Sequence, residues 1–318
     1  MALSDLAVFS EYAYEGMTEV LAQQLNFFNE ASRGTIQLST QMHQGDYSDK
    51  AFWGNMGGIV RRRNAYGSGT ITQKRLAHLV DTMVKVAAGT HEIELNPGQF
   101  RWIQRSPEEA GAAMGQQLAK DTLADMLNTG VMAAVAAIGA ETDVVYDGTA
   151  ATMTSRALNN GVGKFGDRKN DILAWIMHSK PSTDFYDNAL QNAERLFVYG
   201  TVNVVTDAFG RVFIVTDSPS LLTTGTPDTY HNLGLTAGAI VIDQNSDYDD
   251  NYDTKNGNEN ILRTYQAEWS YNLGIKGFTW DKANGGKSPT DAALGTATNW
   301  DKLATSHKDL AGVLVNTQ

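Results

Sequence analysis

Asp247, Asp249, Asn251 and Asp253 place an oxygen-bearing side chain at every second position. An extended segment there would aim four hard ligands one way, which is the donor set of a calcium ion. The glycine usual at the sixth position of a calcium loop is Tyr252, and the glutamate usual at the twelfth is Asn258. The four residues are therefore candidate metal ligands whose plainer roles are a solvated acidic loop or a match for a basic patch on a neighbouring subunit. Gly161-Val162-Gly163-Lys164-Phe165-Gly166 has the letters of a dinucleotide-binding turn, but Leu158-Asn159-Asn160 precedes it where a buried strand is required. A flexible loop is the expectation there. Gly286-Lys287-Ser288 has Asp281 at the leading glycine position of a phosphate loop and no strand-to-helix step around it. His43, His78, His91, His178, His231 and His307 are scattered without a His-x-x-x-His pair, and no Gly-x-Ser-x-Gly elbow occurs. No catalytic residue and no cofactor is expected.

Arg61, Arg62 and Arg63 form the one basic cluster of a chain whose formal charge is −11. A surface that grips duplex through its phosphates shows clustered Lys and Arg, so tight direct DNA binding is disfavoured. The three arginines read as an inter-subunit contact, an ion-pair patch against another acidic subunit, or as a solvated loop. The absence of cysteine excludes disulfides and thiolate metal sites. With 318 residues the chain forms one large domain or two ordinary ones. The first thirty residues lack a basic start followed by an apolar run, and no stretch holds about 18 uninterrupted apolar residues. Signal-peptide export and membrane spanning are both disfavoured.

The elements that must position these residues are organised around one long helix, expected over 106–139. Ser106, Pro107 and Glu109 make a capping-box start, and Gly139 is a plausible stop. Ala119, Leu123, Met126, Leu127, Val131, Ala134, Val135 and Ile138 recur at three- and four-residue steps and make one apolar stripe. Such a helix runs roughly 45–50 Å. The strongest strand signal is 261–276: Tyr265, Ala267, Trp269, Tyr271, Leu273 and Ile275 share one parity, with Thr264, Gln266, Glu268, Ser270 and Asn272 on the other. That alternation predicts one covered and one wet face along a strand of about 50 Å, which matches the helix.

Along the rest of the chain, Phe9, Ala13, Met17, Leu21, Leu25 and Phe28 predict an amphipathic helix in 1–32, which must pack on something to persist. Residues 33–75 are glycine-rich, polar and basic, and read as an extended excursion that reaches onto a neighbour. Residues 76–87 fit a helix or a strand, while Ile93, Leu95, Phe100 and Trp102 suggest short strands. Between the long helix and the long strand an α/β unit spans 141–242. It has a buried strand at Ile172–Met177 broken by Lys180-Pro181, a helix capped by Thr183 or Asp184 and running through Leu196, a hairpin turning at Asp207-Ala208-Phe209-Gly210, and a last strand at Ala239–Ile242.

A terminal arm, an extended glycine-rich loop, a capped spine helix, an inserted α/β unit and a long returning strand, in that order, resemble the major capsid proteins of tailed bacteriophages. Tyr199-Gly200, Gly238-Ala239-Ile240, the stretch Ser270 to Asp281, Ser288-Pro289-Thr290-Asp291 and Asn299-Trp300 carry the likeness in detail. The resemblance implies an α+β, Hong Kong 97-type coat fold. Its parts would be an N-terminal arm (1–32), an extended loop (33–75) and a peripheral domain (76–140) with the spine helix 106–139. An axial domain (141–242) and a return to the peripheral domain (243–318) with the long strand 261–276 complete it. It implies hexamers and pentamers closing an icosahedral shell around double-stranded DNA, held without sequence-specific binding, in a virion made in the host cytoplasm. The partners implied are other copies of the chain, portal and scaffolding proteins and a decoration protein, with no membrane. The absence of a long charged N-terminal scaffold segment suggests a scaffold supplied separately. Some members crosslink a loop lysine to an asparagine; Lys50 and Lys74 lie in or near the loop, but no helper carboxylate matches. A cellular encapsulating shell of the same fold and a soluble nucleotide-binding α/β enzyme using residues 161–166 are the alternatives.

Overall fold

The computed structural model describes residues 3–41, 43, 45–53, 60–75, 78–95, 97–189, 194–199, 202–206, 211–256 and 261–318. In chain order the elements are α1 (Leu3–Ala31), β1 (Ile36–Thr40), β2 (Tyr47–Trp53), β3 (His78–Gly89), β4 (Ile93–Glu94), α2 (Pro97–Arg105) and α3 (Pro107–Gly139). Next come β5 (Val145–Asp147), α4 (Ser155–Gly163), β6 (Ile172–Met177), α5 (Ser179–Ala189), β7 (Glu194–Tyr199), β8 (Val202–Thr206) and β9 (Val212–Val215). Then follow β10 (Leu222–Thr223), β11 (Thr229–Thr236), β12 (Ile240–Gln244), β13 (Asp249–Lys255) and β14 (Leu262–Ile275). The last are β15 (Phe278–Trp280), α6 (Asp291–Leu294), β16 (Trp300–Lys302) and β17 (Gly312–Thr317).

The long helix expected from the apolar stripe is α3. Its start differs from a capping box: the Ser106 hydroxyl makes no cap, because the Ser106 amide already closes α2 on the Trp102 carbonyl at 2.9 Å. Residues Phe100 and Trp102 therefore belong to α2, and the short strands expected there reduce to β4. Helix α1 lies along α3 with Phe9, Ala13, Met17, Leu21, Leu25 and Phe28 buried, as its spacing requires. The two backbones meet closely at Gly111 and Gly115. A Cβ on Gly111 would sit 2.6 Å from the Phe9 carbonyl oxygen, and one on Gly115 would fall on the carbonyl of Ala13. The C-terminal half of α3 is covered on more than one side, with Ala133, Ala134, Ala137 and Ile138 fully buried. By length and mean hydropathy α3 could cross a membrane, yet 61% of its most apolar window is buried inside the protein, which makes it a core helix.

One sheet runs in the order β1-β12-β14-β3-β2, with β13 and β4 also paired to β14. The ambiguous stretch after residue 75 is thus a strand. Ile36 and Leu38 of β1 are buried beside α3's partners, so this part of 33–75 belongs to the core and the excursion starts later. Strand β14 is covered on both faces from Trp269 onwards, contrary to the single wet face that alternation predicts. The polar side chains on that face satisfy one another: Asn245 donates to the Ser270 hydroxyl at 2.9 Å, and Asn272 donates to Asn245 Oδ1 at 3.0 Å. Ser270 in turn donates to Asp247, which is held by Lys85 at 3.0 Å.

The second sheet runs β5-β17-β11-β6-β9-β8-β7, with β10 on β11. Strand β6 is the wholly apolar run, and Trp175 at its centre is fully buried. Strands β8 and β9 pair antiparallel as expected, while their turn at 207–210 lies outside the described residues. Helix α5 starts at Ser179, so Pro181 sits in its first turn, where a missing N–H costs nothing. It ends by Ala189, and Leu196 belongs to β7 rather than to the helix. The strand expected at 239–242 is β12, but it joins the first sheet, because the Gly238 amide bonds the Gly34 carbonyl and directs the chain alongside β1. Strand β17 takes the interior position of the second sheet instead.

Candidate functional site

The chemistry-bearing residues singled out in the sequence do not converge on one centre. Gly161 and Gly163 lie in the end of α4, so a helix leads into the glycine pattern where a nucleotide turn needs a strand, and the stretch is not a free loop. Lys287 of the Gly286-Lys287-Ser288 stretch is paired with Asp46. His178 lies 3.4 Å from Asp217, His231 bonds Asn316 and Thr223, and His43 bonds the Tyr47 carbonyl, each serving a local contact. Among the described residues no three His, Asp or Glu side chains come together to hold a metal.

The acidic run is split. Asp249, Asn251 and Asp253 alternate along the exposed side of β13, at about 6.6 Å between successive members. Asp247 precedes the strand and is committed to Lys85 and Ser270. A straight strand spreads these oxygens too widely to surround one cation, whose ligands all lie within about 2.6 Å of it. The four form an acidic edge instead of a cage.

What the fold does build is an arm and a groove. Strands β2 and β3 form the arm's antiparallel root, in register from Tyr47 with Val84 to Trp53 with His78. Beyond them residues 60–75 are exposed at every position and lie outside the helices and strands. They carry Arg61, Arg62, Arg63, Lys74 and Arg75 with no acidic residue, and Val60, Tyr66 and Ile71 stand in solvent. Arg61, Arg62 and Arg63 form no ion pair with another described residue. Exposed apolar side chains beside unpaired cations mark a contact surface.

The root is fastened by the loop after β15. Trp280 donates its indole N–H to the Gly286 carbonyl at 3.0 Å and packs edge-on against Trp300, shaping that loop. Lys282 then reaches Asp49 at 2.6 Å and lies 5.0 Å from the Tyr47 ring centroid, while Lys287 reaches Asp46 at 2.7 Å. The Lys282 hydrogen bond, aided by that of Thr82, holds Asp49 below the usual carboxylate range; Lys287 does the same to Asp46.

The groove, about 770 Å³, opens between the end of β3, the middle of α3, Trp269 and Tyr271 of β14, and the 288–291 segment. Asp121, Asp125 and Asp291 stand in its walls, and Tyr271 donates to Asp125 at 3.1 Å. Desolvation between α3 and β14 pushes the Asp125 carboxyl up, Asp291 adds to this, and the Tyr271 bond opposes it. A second, apolar cleft of about 460 Å³ beside Leu95, Trp102 and Ile103 shares Ile93, Met114 and Gln117 with the groove. Sequence reading missed this groove. Its one signal was Asp121 and Asp125, four residues apart on the polar side of the apolar stripe.

A family model described as "Gp13-like: Major capsid protein 13-like" matches residues 5–314. No curated protein matches the chain in sequence. Among solved structures the chain is similar to the capsid of Helicobacter pylori bacteriophage KHP30, at 9% identity and a TM-score of 0.52, covering 91% of this chain and 88% of that one. It is similarly close to the head of Helicobacter pylori bacteriophage KHP40, at 8% identity and 0.52, with the same two coverages. At this identity the likeness is one of fold, and it matches the Hong Kong 97-type, α+β architecture that the order of elements implied. The chain belongs to the Gp13-like major capsid protein family, whose members build the shell of a phage virion.

Proposed function

We propose that copies of this chain close into hexamers and pentamers of an icosahedral shell around double-stranded DNA, with residues 60–75 of each copy lapping a neighbour. The observation that carries this reading is the arm: a fully exposed cationic segment on a root fastened by ion pairs, in a chain of net charge −11. A cationic segment on an acidic body is complementary to other copies of itself, and closed symmetry repeats that contact around a ring. In this reading the second sheet with α4 and α5 is the axial domain, and the first sheet with α3 is the peripheral domain. The DNA is contained rather than gripped, as the net negative charge favours. Portal, scaffolding and decoration proteins are the further partners, the subunits are made in the host cytoplasm, and no step requires catalysis or a cofactor.

The test is negative-stain microscopy with light scattering on the intact chain and on one whose residues 60–72 are replaced by a short Gly-Ser link. Closed shells or rings from the first, lost or malformed in the second, are expected. A monomer at high concentration from both overturns the reading.

A further inference from the structure

The groove along α3 has three features that its own chain leaves unanswered. Asp121, Asp125 and Asp291 stand in its walls, and its lining includes no Lys or Arg. The indole N–H of Trp269 and the hydroxyl of Thr122, both in buried side chains of that lining, have no hydrogen-bond partner. Buried polar groups are normally paired, and each one left unpaired is costly, so these two point to a group supplied from outside the chain. The groove also continues, through Ile93 and Met114, into the apolar cleft beneath Trp102, whose ring is 45% exposed. A single occupant must therefore bring cations, backbone or hydroxyl groups, and an apolar side chain.

One segment on the page has all three. Residues 60–75 hold five cations and no anion, leave their backbone groups outside any sheet or helix, and expose Tyr66 and Ile71. Fully extended, sixteen residues reach about 50 Å, enough to run the length of both clefts. We propose that this segment of one copy docks in the α3 groove of a second copy, its arginines on Asp121, Asp125 and Asp291 and its Tyr66 or Ile71 in the apolar cleft. A backbone carbonyl of the docked segment accepts the Trp269 indole N–H. The proposal rests on the shell reading and names the receptor which that reading leaves open. The exposed acidic side of β13 is the rival receptor; it matches the charge but offers no orphaned donor and no apolar cleft.

The chain has no cysteine, so engineered thiols report contacts without background. Chains carrying R62C with D121C, and others carrying R62C with N251C, are assembled, treated with a short bismaleimide and run on a denaturing gel. The expected result is a ladder of linked subunits from the first pair and monomer from the second. Shells that link through N251C and not through D121C overturn the groove while leaving the shell reading intact; a wild-type chain that forms no shells sinks the shell reading itself. Because the cysteine variants can fail to assemble, charge reversal is the second arm. D121R should lower shell yield by roughly tenfold or more, as expected for breaking a close interfacial charge pair. Adding R62D should restore it. D121R that assembles like wild type, or that R62D does not rescue while circular dichroism shows a folded subunit, overturns the proposal.

Discussion

Lys282 donates to both carboxylate oxygens of Asp49, at 2.6 and 2.9 Å, and so joins the loop after β15 to the third residue of β2. Both side chains are nearly half exposed, which limits the pair to about 0.2–1 kcal/mol. Its effect is local: it sets where the exposed arm leaves the body. K282A should speed deuterium uptake by the β2 amides several-fold and leave the thermal midpoint almost unchanged. Uptake equal to wild type would remove the clamp from the account.

The same pair has a definite pH sense. Asp49 sits below its ordinary value of 3.8, so the clamp is complete above that pH and is lost as the pH falls through the lowered value. Deuterium uptake at β2 in the wild type should therefore rise towards that of K282A only in strong acid. A rise already at pH 6 would assign the change to another group.

Asp125 has the opposite sense. Its carboxyl is raised, chiefly by desolvation, so the folded chain holds its proton more tightly than the unfolded one. Stability is therefore given up as the pH rises from 3.8 through the raised value, and the penalty persists above it. In unassembled subunits D125N, which can still accept the Tyr271 hydrogen bond, should raise the thermal midpoint at pH 7. The gain should vanish below pH 3.8. A gain of equal size at both pH values would point to packing instead of charge.

Gly115 has no room for a side chain, because α1 passes with the Ala13 carbonyl against it. G115V should cost about 1–3 kcal/mol or more by urea unfolding, through forced separation of the two helices. G163A, at a helix end with nothing within 4 Å of the added carbon, should be near neutral. Equal midpoints for the two variants would show that α1 does not pack as described.

N245A would strip the acceptor from the Asn272 amide and one donor from Ser270, all three residues being buried. The expected cost is about 1–3 kcal/mol in the same unfolding measurement. A neutral result would mean that water reaches this face of β14.

The helix α3 and the strand β14 were legible because their periods hold over 33 and 14 residues, long enough for the pattern to outweigh any single exception. The exposed arm was legible from glycine and charge alone. What could not be read was decided by partners distant in sequence. β12 takes its sheet from Gly34 and Thr35, about two hundred residues earlier, and Ser270 and Asn272 are covered because Asn245 and Asp247 happen to satisfy them. The Ser106 cap failed for a local reason, since its amide was already used by α2. The groove escaped notice because Asp291 stands 166 positions after Asp125, and only the return of the chain brings it to the same wall.

Strand β17 lies inside the second sheet, parallel to β5 on one side and antiparallel to β11 on the other. During synthesis residues 145–147 and 229–236 leave the ribosome long before residues 312–317 exist to join them, so the sheet stays unzipped in every nascent chain. The sticky arm, by contrast, is already out. A polysome would thus carry many arms but no finished body, and the late strand acts as a timer that keeps half-made subunits out of a growing shell.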